Sequence, residues 1–146
     1  MEPELFLCFQ DLFPTLCFYD VSSGQEQTNS NGSFVNEAEA QFVVLLLSVL
    51  AARGLQASAV GVITLYKAQA QRIVHSIKGF KSVACDAQRE MTGVQVSTVD
   101  AFQGGERDVI ILSCVRTHSL GFIDSDKLVA GFWRLGTGDM LLYMCW

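Results

Sequence analysis

The strongest constraint on this chain is the run Val109-Ile110-Ile111-Leu112-Ser113-Cys114-Val115, whose first four residues are uninterrupted aliphatics. β-branched residues in an unbroken apolar run make a strand with both faces buried, as in a parallel sheet covered by helices. Val60-Gly61-Val62-Ile63-Thr64 repeats the pattern, and Val94-Gln95-Val96-Ser97-Thr98-Val99 alternates as a further strand. Leu16-Cys17-Phe18-Tyr19 reads as a short strand closed by Asp20 and the Ser22-Ser23-Gly24 turn.

Helices fall between these strands. Asn36 is a good N-cap, and Glu39 stands where the acidic member of a capping box belongs. The helix they open runs through Phe42–Leu47 to about Arg53, with Gly54 as the residue that ends it. It is apolar almost all the way round, which predicts cover on most of its sides. A second helix is expected from Lys67 to Ile77, stopped by Gly79. The polar stretch Gly24–Ser33 reads as a surface loop. Strands and helices in alternation give an α/β fold with a mainly parallel sheet flanked by helices. Past Lys127 the pattern degrades, and Met140-Leu141-Leu142-Tyr143-Met144-Cys145-Trp146 reads as an apolar tail.

Composition narrows the function classes. The chain of 146 residues is half hydrophobic and 17% charged, so it can bury a core and is not a disordered segment. A formal charge of −5 argues against a freestanding nucleic-acid binder driven by its own positive field. Five scattered cysteines without a C-x-x-C pair, and His75 and His118 away from ligand spacing, predict reduced thiols and no metal site. Glu2 and Glu4 stand where a secretory leader needs positive charge. The apolar run Phe42–Ala52 falls short of the roughly 20 residues needed to cross a bilayer, so no membrane association is expected.

Ligands of α/β sheets gather at the carboxyl ends of the strands. Two such ends carry polar groups: Thr64-Leu65-Tyr66-Lys67-Ala68-Gln69, and Ser97-Thr98-Val99-Asp100-Ala101-Phe102-Gln103-Gly104-Gly105-Glu106-Arg107-Asp108. In the second, hydroxyls can hold a phosphate, Gly104-Gly105 admits close backbone approach, and Glu106 can accept from two ribose hydroxyls. The same residues would also make an ordinary polar turn capped by Asp100, and chemistry alone leaves both readings open.

The order of residues from Val96 to Arg116, V-S-T-V-D-A-F-Q-G-G-E-R-D-V-I-I-L-S-C-V-R, closely resembles motif V of the superfamily 1B helicases. Gly61–Gln69 is similar to the I-T-P-Y-x-x-Q segment of that Upf-like and senataxin-like group, with Leu65 in place of the usual proline. Gly121–Lys127 resembles the approach to motif VI. The GRF-type zinc-finger-containing branch offers the nearest pattern. The resemblance covers 16–127, with 1–15 as an extension and 128–146 as a divergent apolar tail. It implies a truncated second RecA-like lobe of an ATP-dependent motor that translocates 5′ to 3′ on single-stranded DNA or RNA, in the nucleus or cytoplasm.

By position, the resemblance places Gln103, Gly104 and Glu106 on the nucleotide side. Thr64 and Thr98 fall on the nucleic-acid side, and Asp100 couples the two; Arg116, just past a strand end, is equally open to a place on that side and to a plain solvated arginine. Tyr66 and Gln69 match a loop where packing and binding are equally open. ATP and Mg2+ would belong to the full-length parent, with a first RecA-like lobe as partner; neither is expected to bind this chain tightly alone. No G-x-x-x-x-G-K-[ST] occurs in the chain, and the arginine-rich run of motif VI is replaced by Leu128-Val129-Ala130-Gly131-Phe132-Trp133-Arg134. An arginine finger contributes on the order of 10³–10⁵ in rate, so negligible catalysis by the chain alone is expected. The competing readings are a non-catalytic interaction module using the apolar tail, and an unrelated small nucleotide-binding protein.

Overall fold

Apolar strands that lack a polar face should sit between two layers, and the computed structural model shows this for its two central strands. It describes residues 16–80, 91–102, 106–117 and 140–145. The strands are β1 (Leu16–Asp20), β2 (Glu26–Thr28), β3 (Phe34–Asn36), β4 (Val60–Thr64), β5 (Gln95–Thr98), β6 (Val109–Ser113) and β7 (Met140–Cys145). The helices are α1 (Glu37–Ala52), α2 (Lys67–Gly79) and the single turn α3 (Val99–Phe102). Five strands form one sheet in the order β1-β7-β6-β4-β5, and every neighbouring pair is parallel. β2 and β3 make a separate antiparallel hairpin.

All five residues of β4 and all five of β6 are buried, and their alternation divides the core into two. Val60, Val62, Val109 and Ile111 face α1 and α2, packing with Val43, Leu47, Leu50, Ile73 and Ile77. Ile63, Ile110, Leu112 and Cys114 face the other way and pack with Phe102. Phe102 lies directly over Gly61, where a Cβ would come within 2.7 Å of the ring.

Helix α1 begins and ends where its cap chemistry dictates. Asn36 Oδ1 accepts from the Glu39 amide at 3.2 Å. At the other end Gly54 adopts φ of 85°, and Gly54 N and Leu55 N donate to Ala51 O (2.9 Å) and Leu50 O (3.1 Å). These paired bonds satisfy carbonyls the helix would otherwise leave open. The cover is less complete than the composition suggests: Leu45 and Val49, one turn apart, are 54% and 38% exposed. Helix α2 has no capping side chain at Tyr66; the Ser33 hydroxyl accepts from the Ala68 amide at 3.2 Å instead. Across the two helices Glu37 and Arg72 form a paired ionic contact.

Two segments differ from their sequence reading. The polar stretch 24–33 contains β2 and leads into β3. Its turn is held by Asn29 Oδ1, which accepts from Asn31 N (3.1 Å) and Ser33 N (2.9 Å). Strands of only three residues, Glu-Gln-Thr and Phe-Val-Asn, are too short to show an alternation that would reveal them. The apolar tail residues Met140–Cys145 form β7, inserted between β1 and β6 and paired with both. That place in the sheet is set by long-range pairing, which the residues of the tail do not reveal. Among the described residues Cys17 and Cys114 are buried and joined in no disulfide, no group of potential metal ligands occurs, and no helix is long and apolar enough to cross a membrane.

Candidate nucleotide and nucleic-acid site

Parallel pairing brings the carboxyl ends of β6, β4 and β5 level. Thr64 is registered with Ser113 on one side and Thr98 on the other, so three hydroxyl residues occupy one rung. Thr64 is completely buried, and its Oγ1 accepts from Tyr66 N at 3.4 Å, closing the turn from β4 into α2. Thr98 is half-buried. It is followed at once by α3, which presents Asp100 to solvent. Phe102 fixes α3 to the sheet, being 1% exposed in the cluster beneath it.

Of the nucleotide-side candidates, Gln103 and Gly104 lie outside the described residues. Glu106 is exposed. Its neighbour Arg107 reaches the Gln95 side chain and stands 6.0 Å from the Phe102 ring centroid. The approach to motif VI, 121–127, also lies outside the described residues.

Arg116 is not an open surface cation. Its Nε donates to Glu26 Oε2 at 2.9 Å, and its guanidinium carbon lies 4.1 Å from the Phe34 ring centroid. Phe34 meets Tyr66 edge-on at 5.3 Å. Glu26 Oε2 also accepts from Thr117 N at 2.8 Å. Burial works against the charge of Arg116, but the Glu26 carboxylate beside it outweighs this and raises its pKa above the ordinary arginine value.

Beneath Arg116 lies a polar cluster that the sequence reading only half anticipated. Asn36, Glu39, Gln69 and Ser113 are each at most 1% exposed. Gln69 Oε1 accepts from Asn36 N (2.9 Å), and its Nε2 donates to Asn36 O (3.1 Å) and Ser113 Oγ (3.0 Å). Ser113 Oγ in turn donates to Glu39 Oε2 at 2.7 Å. Gln69 is therefore occupied in packing β3 and β6 against α2. Burial raises the Glu39 carboxyl above its ordinary pKa, opposed by hydrogen bonds from Ser113 and the Val115 and Cys114 amides.

The capping-box pattern revealed Asn36 and Glu39 but not their second use across the sheet. Glu26 and Phe34 sat in or beside an apparent loop and carried no signal.

A family model described as an AAA domain matches residues 4–133. The mouse protein "5'-3' DNA helicase ZGRF1" is 50% identical over 114 residues, 78% of this chain and 6% of its own length. The Arabidopsis thaliana "Regulator of nonsense transcripts 1 homolog" is 36% identical over 130 residues, 86% of this chain and 10% of its own. The Saccharomyces cerevisiae "ATP-dependent helicase NAM7" is 36% identical over 124 residues, 82% of this chain and 12% of its own. The chain thus spans about a tenth of the length of these relatives.

Proposed function

This chain belongs to the AAA-domain family, in the superfamily 1B, Upf1-like helicase group, and we propose that it serves as part of the second RecA-like lobe of an ATP-driven helicase. The observation that carries this reading is the level rung Ser113–Thr64–Thr98 at the carboxyl edge of a parallel sheet, with Asp100 on the helical turn that follows. Within that rung Thr64 and Ser113 are buried and Thr98 is half-buried, so Thr98 is the hydroxyl that can meet an oxygen-rich backbone, the usual occupant of this crevice in α/β sheets.

In this reading Thr64, Thr98 and Arg116 serve the strand side, Gln103, Gly104 and Glu106 the nucleotide side, and Asp100 joins them. Thr64 is sealed from solvent, so its contribution is to shape the turn into α2. Thr98 is the more accessible hydroxyl. The chemistry of Glu106 fits a ribose: it is an exposed carboxylate that can accept from two hydroxyls. Bound ATP with Mg2+ supplies the phosphoryl-transfer energy of such motors, and the residues that cradle phosphate and metal belong to the first lobe. With a charge of −5, the chain leaves most of the positive field to that partner. The substrate is single-stranded nucleic acid, with 5′-to-3′ movement, and the setting is the nucleus or cytoplasm.

The interaction-module alternative drew on an exposed apolar tail. Residues 140–145 form a strand paired on both sides within the sheet, which gives that part of the tail a place in the fold.

The test is ATP hydrolysis by the purified chain with and without single-stranded DNA or RNA. The chain alone should be inert. Adding the first lobe of the mouse relative, with its motif VI segment, should restore strand-stimulated hydrolysis. Robust stimulated turnover by the chain alone would refute the reading.

A further inference from the structure

Two residues beyond β6 the backbone leaves its ordinary range. Val115 has φ of 75°, and among the described residues it alone does so without being glycine. A β-branched residue there is a genuine outlier. Arg116 N donates to Cys114 O at 2.9 Å, closing a γ-turn of the rare, strained hand around Val115. Strain of this kind persists only where the surroundings over-determine it.

The surroundings here come from the start of α1. Val115 N donates to Glu39 Oε1 at 3.0 Å and Oε2 at 3.1 Å. Val115 O accepts from Asn36 Nδ2 at 3.3 Å. The Glu39 carboxylate also takes the Ser113 hydroxyl at 2.7 Å and Asn36 Nδ2 at 3.2 Å. Because Gln69 Nε2 donates to Ser113 Oγ, the serine proton is directed at Glu39. Every group bonded to that carboxylate among the described residues is a donor, so the pocket is made for an acceptor-only side chain. It lies at the third residue of α1, where the helix N-terminus also favours negative charge.

We infer that Glu39 is a positioning residue for Arg116: its buried carboxylate holds the strained turn at Val115 and thereby fixes the Arg116 guanidinium against Phe34 and Glu26. This rests on the proposed placement of Arg116 at the strand-binding edge. Glu39 touches no ligand; it acts through one residue of backbone. A glycine at 115 would adopt the same turn without a clamp, and this separates positioning from a general contribution to stability.

The experiment is NMR on the full chain labelled with 15N. Above the face of Phe34, the Arg116 Nε–H resonance should be displaced by the ring current. In Glu39→Gln, whose amide nitrogen confronts donors, that displacement should be lost while the spectrum stays dispersed. In Glu39→Gln combined with Val115→Gly it should return. An unmoved resonance in Glu39→Gln, or no return in the double variant, overturns the inference. Should Glu39→Gln fail to fold, a folded double variant with the Arg116 signal in place supports it, and an unfolded one overturns it. Separately, Arg116→Ala is tested for binding labelled single-stranded DNA in the presence of the first lobe. Unchanged affinity there would sink the placement of Arg116 while leaving the role of Glu39 to be decided by the spectra.

Discussion

Replacing Gly61 by alanine adds one carbon at the point where α3 is pressed onto the sheet. That carbon would lie 2.7 Å from Phe102 Cζ, 2.8 Å from Phe102 Cε2 and 3.2 Å from Arg107 Cγ. Carbon atoms normally rest about 3.5–4.0 Å apart, so the ring would have to retreat by about 1 Å. Phe102 is 1% exposed and packed with Ile63, Ile110, Leu112 and Cys114, so retreat costs contacts on its other edges. Overpacking of this kind costs about 1–3 kcal/mol. Alanine recovers roughly 0.4–1 kcal/mol by restricting the unfolded chain. The net loss should be about 1–2 kcal/mol, at about 2–4 °C in Tm for each kcal/mol in a domain near this size. The assay is thermal and urea unfolding of Gly61→Ala, Phe102→Leu and the double variant. Leucine has no Cζ, so the double should lose less than the sum of the singles, by about 1 kcal/mol of coupling. Equal or greater stability of Gly61→Ala, or strict additivity, would refute the close-approach argument.

Two further outcomes follow from the helix ends. The raised pKa of Glu39 means that, between the ordinary glutamate range and its folded value, the native state holds more protons than the unfolded one. Its contribution is therefore best on the acid side and declines as pH rises through that window. Urea unfolding at stepped pH should show the stability advantage of wild type over Glu39→Gln narrowing in that direction; an advantage that grows with pH would contradict it. Gly54→Ala places a side chain at φ of 85° and should lower stability by about 1–2 kcal/mol, read from the urea midpoint. An unchanged midpoint would mean that the cap relaxes freely.

Elements whose cause is local were legible in the residues themselves. The apolar runs at 60–64 and 109–115, the cap at Asn36 and the stop at Gly54 depend on neighbours within four residues, and each stands in the structure within a residue or two. Residue order carried the family, because motif V is contiguous. Tertiary structure decided what is joined across the chain. The place of Met140–Cys145 between β1 and β6 is a matter of pairing, which an apolar hexapeptide does not encode. The hairpin of β2 and β3 was hidden because its stabilising partners are remote: Glu26 meets Arg116, 90 positions away.

Glu39 is the instructive case. Its cap role was visible at a spacing of three, while its hold on Val115, at a separation of 76, was not. A buried carboxylate is tolerable only where donors converge, and these come from Asn36 at the end of β3, from β6 and from the turn beyond it. No local pattern announces that convergence, nor the left-handed valine it restrains. The chain specifies its strands and helices by periodicity and caps, and only their packing together creates the donor-lined pocket for Glu39 that sets the direction of Arg116.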